Sequence, residues 1–142
     1  MDRDTFKLIH SELIQQVQCT EFNLKRIYAA MKNGDFNDNF DDLKNSNLGV
    51  IARKLKDLDY SDNLPEFTKE EYKTIDDIRK IRNYWCHQCY LDYIYIQNDN
   101  EREIRFQEIA NRLHYDELRT YELFKKTESM YKYVFEKYRW LY

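Results

Sequence analysis

Two glycines and one proline in 142 residues leave this chain few places to turn. Glycine supplies positive-φ turn positions and proline ends helices, so scarcity of both favours long uninterrupted elements. No hairpin signal of the Asn-Gly type joins two alternating apolar runs. A few long helices around one modest core are therefore expected, within a single domain over residues 1–142.

The apolar spacing agrees. Residues 4–33 read as a first helix, because Phe6, Ile9, Leu13, Val17, Thr20, Leu24, Ile27 and Met31 recur at steps of three and four. Gly34 is a candidate C-cap. Residues 35–46 are rich in Asp and Asn without periodicity and read as a solvated loop. A shorter helix is expected over about 47–59, with Leu48, Ile51, Leu55 and Leu58 on one stripe. Residues 60–67 form a loop containing Pro65. Thr68 and Glu71 then stand in capping-box spacing and open a third helix that runs to about Ile96.

Gln97-Asn98-Asp99-Asn100 breaks the pattern. A last helical stretch follows from Glu101 to about Tyr138, with a candidate break near His114-Tyr115-Asp116. Its expected buried side carries Ile104, Ile109, Leu113, Leu118, Tyr121, Phe124, Tyr131, Val134 and Tyr138. The implied fold class is all-α, a bundle of four or five helices with mostly antiparallel neighbours.

Charge and cysteine content narrow the function classes. The formal net charge is −3, which argues against tight non-specific binding of nucleic acid but leaves room for a local basic patch. No apolar run reaches about 18 residues, so no membrane span is expected. The start Met1-Asp2-Arg3-Asp4 is polar and lacks a signal-peptide core. Three cysteines are too few for a disulfide scaffold, and a reducing cytoplasm is the expected location. Aromatic residues make up 16% of the chain, more than a minimal core needs, so some of these rings are expected to coat an interface.

Chemistry concentrates in Arg82-Asn83-Tyr84-Trp85-Cys86-His87. On a helix, Asp76, Arg79, Asn83, His87 and Tyr90 fall on one face, and Ile75, Ile78, Trp85, Cys89, Tyr93 and Ile96 on another. Arg82 lies within the apolar stripe, where an arginine is costly unless it is paired or opens into a cleft. His87 follows about 140° around and about 7.5 Å along the axis. These residue types suit RNA cleavage. RNA carries its own nucleophile, the ribose 2′-hydroxyl, and DNA does not. A histidine near neutral pKa takes that proton, and a forked guanidinium holds the phosphate and its transition state. No metal or other cofactor is required. One Arg and one His make half of an acid–base pair, and a twofold dimer would supply the other half. The bland alternative is a structural one: Arg82 pairs with an acid on a neighbouring helix, and His87 is an ordinary surface or core histidine.

At these residues the chain resembles the HEPN superfamily, small helical bundles marked by Arg, four to six residues, then His. Here the pattern is Arg82, four residues, His87, with the polar Asn83 directly after the arginine, Tyr84-Trp85 before the histidine, and a second helix opening with Leu48-Gly49. The resemblance implies a metal-independent endoribonuclease of toxin or antiviral-defence type, acting as a homodimer with a shared site and open to control by an antitoxin protein. Carried over, Arg82 would bind the phosphate, His87 would act as base or acid, and Asn83 would orient the site. Arg79 and Tyr90, on the same face, are the candidate substrate-binding residues. Some toxin members carry a modifiable Tyr two residues after the His; Cys89 stands there instead, with Tyr90 next. Other members are non-catalytic, so the rival reading is a helical module that binds a protein or a nucleotide.

Two further patterns call for structural readings. Cys86-His87-Gln88-Cys89 is a C-x-x-C placed mid-helix, away from the N-terminal dipole that activates a redox thiol, and it lacks a second ligand pair for zinc. The aromatic and basic stretch Met130 to Tyr142 is read first as core and dimer packing, and second as a base-stacking surface. His10 and His114 are expected on the surface.

Overall fold

The computed structural model describes residues 1–140. Among the described residues five α-helices follow one another: α1 (Arg3–Met31), α2 (Phe36–Asp41), α3 (Leu48–Asp59), α4 (Lys69–His87) and α5 (Asp99–Phe135). A wider π-type turn over Glu136–Trp140 continues α5. No strand occurs among the described residues, and none of the described helices is long and apolar enough to cross a membrane.

Each helix starts where a short polar side chain satisfies a free backbone N–H. Asp2, Asp35, Asn47, Thr68 and Asn98 are the five N-caps. Thr68 and Glu71 form the expected capping box, each side chain accepting from the other's backbone N–H at 3.1 Å. The end of α1 is closed from elsewhere in the chain. The Arg139 guanidinium donates to the carbonyls of Ala29, Ala30, Lys32 and Gly34, and Asn39 Nδ2 donates to those of Ala29, Lys32 and Asn33. Gly34 is not the cap itself, which is Lys32. With φ at +104° it turns the chain two residues later, in a region that L side chains avoid.

One contiguous core joins the helices, centred on Phe6, Leu13, Leu24, Ile51, Ile78, Trp85, Phe106 and Ile109. The expected stripe of α1 is buried apart from the half-buried Ile9. Within a bundle expected to have mostly antiparallel neighbours, α1 and α5 run parallel. Arg3 pairs with Glu103, Gln16 donates to Glu117, and Asn23 to Thr127. The three helices between them carry the chain back so that α5 starts beside the N-terminus. By contrast, α4 is antiparallel to both: Glu21 meets Arg82, His10 meets Trp85, and Asp77 meets Arg119.

Several other expectations are corrected. Residues 35–46 are not a plain loop, because Asp35 caps the short α2 and Asn39 and Leu43 are buried. The third helix ends at His87, not near Ile96. The N–H groups of Gln88 and Cys89 both reach the Tyr84 carbonyl, at 2.9 and 3.1 Å, which closes the helix. Turns over 88–95 then keep Cys89 and Tyr93 buried, so helical spacing persists in sequence where the helix does not. The last helix passes unbroken through His114-Tyr115-Asp116. Its buried side runs through Phe106, Ile109, Leu113, Asp116, Thr120, Leu123, Thr127 and Val134, while Ile104, Leu118 and Tyr121 are exposed. The register is set by polar pairs within the α1–α5 seam, Thr120 Oγ1 to Gln16 Oε1 (2.8 Å) and Asn23 Nδ2 to Thr127 Oγ1 (3.1 Å). Such groups stay buried only where each finds a partner. In the C-terminal stretch, Val134 is buried and Met130, Tyr131, Phe135 and Tyr138 pack against the core. Leu141 and Tyr142 lie outside the described residues.

Candidate active site

The helix α4 is held by its apolar side. Tyr72, Ile75, Ile78, Ile81 and Trp85 are buried at steps of three and four. Trp85 is the anchor: the indole is 1% exposed, and Nε1–H donates to the buried Asp116 carboxylate at 2.9 Å. Arg112 lies 3.5 Å from the same carboxylate and stacks over the Tyr84 ring. Tyr84 OH donates to Asp92, and burial together with that bond pushes its pKa up to about 12.

The arginine of the motif is half-buried and engaged on both arms. One terminal nitrogen of Arg82 donates to Glu21 Oε1 on α1 at 2.8 Å, and the other to Asn83 Oδ1 at 3.1 Å. This is the pairing with an acid of a neighbouring helix that the bland alternative anticipates. Both Arg82 and Asn83 also line a cleft of about 640 Å³ between α3 and α4. Arg79 lines it too, with Nε donating to Asp76 at 3.1 Å. Gly49 has a packing reason: a Cβ there would stand 3.1 Å from Arg79 Cδ, so the absent side chain lets the arginine stem cross α3.

The other two predicted residues stand elsewhere. His87 is the last residue of α4, exposed to solvent, and does not line the cleft. Within a single chain, this cleft therefore holds Arg82 without His87. Tyr90 lies beyond the helix end. Its half-buried ring packs edge-on against Phe6 and His10, with centroids 5.9 and 5.5 Å away, and burial raises its pKa.

His10 is the residue that sequence reasoning missed. It is half-buried rather than on the surface, with Nε2 2.7 Å from the Trp85 carbonyl. That carbonyl has lost its backbone donor, since the Cys89 N–H reaches back to Tyr84. An N–H on Nε2 fills the gap and also fixes the tautomer. Position four after Phe6, on the inner face of α1, was the available signal. The two thiols of the C-x-x-C face different environments: Cys86 is exposed, while Cys89 is buried and raised to about 11 by that burial.

Charge gathers in the cleft. Arg53, Lys56, Lys69, Lys73, Arg79 and Arg82 line it against one carboxylate, Asp76, over a floor of Leu48, Ala52, Tyr72 and Ile75. This is a local basic patch on a chain of net charge −3, and it is positioned to hold an anion. Comparison with known proteins returns no counterpart: no family model, no curated protein and no solved structure matches this chain.

Proposed function

We propose that this protein is a metal-independent endoribonuclease of the HEPN type, serving as a toxin or in antiviral defence. The observation that carries the reading is the position of Arg82 and Asn83, hydrogen-bonded to one another at the edge of a cation-lined cleft. In the proposed reaction a His87 imidazole takes the proton of a ribose 2′-hydroxyl. The oxygen attacks the adjacent phosphorus, and the Arg82 guanidinium stabilises the charge that develops on the phosphate. The 5′-oxygen leaves with the proton returned by the imidazolium, and the products are a 2′,3′-cyclic phosphate and a 5′-hydroxyl. Because His87 of the same chain stands outside the cleft, the proposal includes a homodimer in which a second copy contributes its histidine.

The test is incubation of pure protein with RNA in chelator beside Arg82→Ala and His87→Ala. Cleavage by the native chain and a loss of about 100-fold or more in each variant is expected. Equal activity in all three discards the assignment. A second reading is favoured by the Arg82–Glu21 pair: a non-catalytic module that binds a phosphate-bearing partner through the same cleft. Under that reading no RNA is cut and the cleft variants lose binding alone.

A further inference from the structure

We propose that the groove between α3 and α4 is a sequence-independent track for the phosphate backbone of a single RNA strand, running toward Arg82. The inference rests on the ribonuclease reading and deepens it by naming how substrate is held away from the scissile bond.

Charge in the groove is largely uncompensated. On the surface of α5 the arginines are matched: Arg102 with Asp99, Arg105 with Glu108, Arg119 with Asp77. In the groove, Arg53, Lys56, Lys69 and Lys73 have no carboxylate partner among the described residues, and all four are exposed. Clustered like charges repel, so their retention on one concave surface of an acidic chain points to an anionic occupant.

The spacing of the lining residues suits a phosphate backbone. Along α4 the lining residues Lys69, Lys73, Asp76, Arg79 and Asn83 recur once per turn. The helix rises about 5.4 Å in each turn, close to the step between phosphates of an extended strand. From Lys69 to Asn83 the wall measures about 20 Å, room for about three phosphates. On the facing wall Arg53 and Lys56 sit one turn apart. Axes of packed helices are about 8–10 Å apart, which makes the groove between them too narrow for a duplex.

The groove floor offers little to a base. Leu48, Ala52 and Ile75 are aliphatic, and the Tyr72 ring is 6% exposed with its hydroxyl donating to Asp59. Among the described residues of the groove, no aromatic platform is open for a base to stack on. Backbone contacts position a strand without reading it, so the bases of the bound strand face solvent.

The experiment measures anisotropy of labelled 2′-O-methyl oligouridines of two, four and eight nucleotides. These lack the nucleophile and report binding alone. The proteins are the native chain, the Arg53→Glu/Lys73→Glu double variant, and Lys54→Glu, an exposed residue beside the track but outside its lining. Affinity is expected to climb from two to four nucleotides and then level off. A slope near −2 against log salt is expected for about three contacts on a single strand. The double variant should lose at least tenfold and Lys54→Glu less than twofold, with circular dichroism unchanged in both. Affinity that ignores length, or falls equally in Lys54→Glu, overturns the track. Groove-dependent binding by a chain that cuts no RNA supports the track and removes the nuclease reading. Cleavage undiminished in the double variant overturns the track and leaves the nuclease standing.

Discussion

Arg82 and Glu21 meet at 2.8 Å, with 23% and 20% of their side chains exposed, and this ion pair ties α4 to α1 beside the groove. It holds the one arginine of the motif at the groove's edge while neutralising part of its charge. Glu21→Gln keeps a hydrogen-bond acceptor and removes the opposing charge. The expected stability cost is small, about 1 kcal/mol, and affinity for oligouridine should rise several-fold. Urea denaturation and anisotropy measure the two effects. A weaker affinity would mean that the carboxylate positions the guanidinium more than it restrains it.

Trp85 carries the helix on which the motif sits. Trp85→Phe keeps an aromatic ring and removes the N–H that Asp116 accepts at 2.9 Å. The buried carboxylate then relies on Arg112 at 3.5 Å. A loss of about 2–3 kcal/mol in urea unfolding is expected, most of it the cost of leaving a buried acceptor short of a partner. Asp116→Asn keeps an acceptor for the indole and should cost less. The order of the two variants is the check, and the reverse order would reject this account.

Asp59 is 2% exposed and is the knot of the α3–α4 connection. Its carboxylate accepts from the N–H groups of Glu66 and Phe67 and from Tyr72 OH, at 2.7, 3.1 and 2.7 Å. Asp59→Ala should cost about 3 kcal/mol, since a buried donor left unmatched costs about 1–3 kcal/mol. Hydrogen exchange at Glu66 and Phe67 should accelerate well beyond the rest of the core. Uniform acceleration throughout the chain would instead indicate a global effect.

Stability should fall at both pH extremes for separable reasons. Hydrogen bonds from Gln88 and Tyr84, helped by the charges of Arg105 and Arg112, hold the Asp92 carboxyl below its usual range. A depressed pKa stabilises the fold above the unfolded value, near pH 4, and the benefit is lost as pH falls further. Burial raises the Cys89 thiol to about 11 from an ordinary 9.0. A raised pKa leaves the fold fully stable below the unfolded value, and stability then declines as pH climbs toward 11. Melting curves should show Asp92→Asn flattening the acid limb, and Cys89→Ala flattening the alkaline limb while leaving the acid limb unchanged. A Cys89→Ala variant with an unaltered alkaline limb would refute the second assignment.

Much of the bundle was legible because it rests on local signals. Thr68 and Glu71 announce their capping box three residues apart, and the α1 stripe repeats at the helical period whatever the rest of the chain does. The misreadings fall where a distant residue decides. Asp35 to Ser46 looks featureless, yet α2 forms there, with Asn39 closing carbonyls at the end of α1. The period from Ile75 to Ile96 is unbroken in sequence, but the helix ends at His87 and His10 covers the released Trp85 carbonyl. On α5, Thr120 and Thr127 displaced Leu118 and Tyr121 from the interior because Gln16 and Asn23 wait across the seam.

Residue type and spacing alone determined an all-helical chain and placed an arginine, an asparagine and a histidine on one helix. Those properties depend on neighbours three or four positions apart, which the chain order specifies directly. The tertiary structure decided the rest: that Arg82 meets Glu21, that His87 stands outside the groove, and that lysines and arginines from α3 and α4 collect along one cleft. Coulombic attraction and desolvation act between side chains across space. Which charges become neighbours was therefore settled only when α4 packed between α1, α3 and α5.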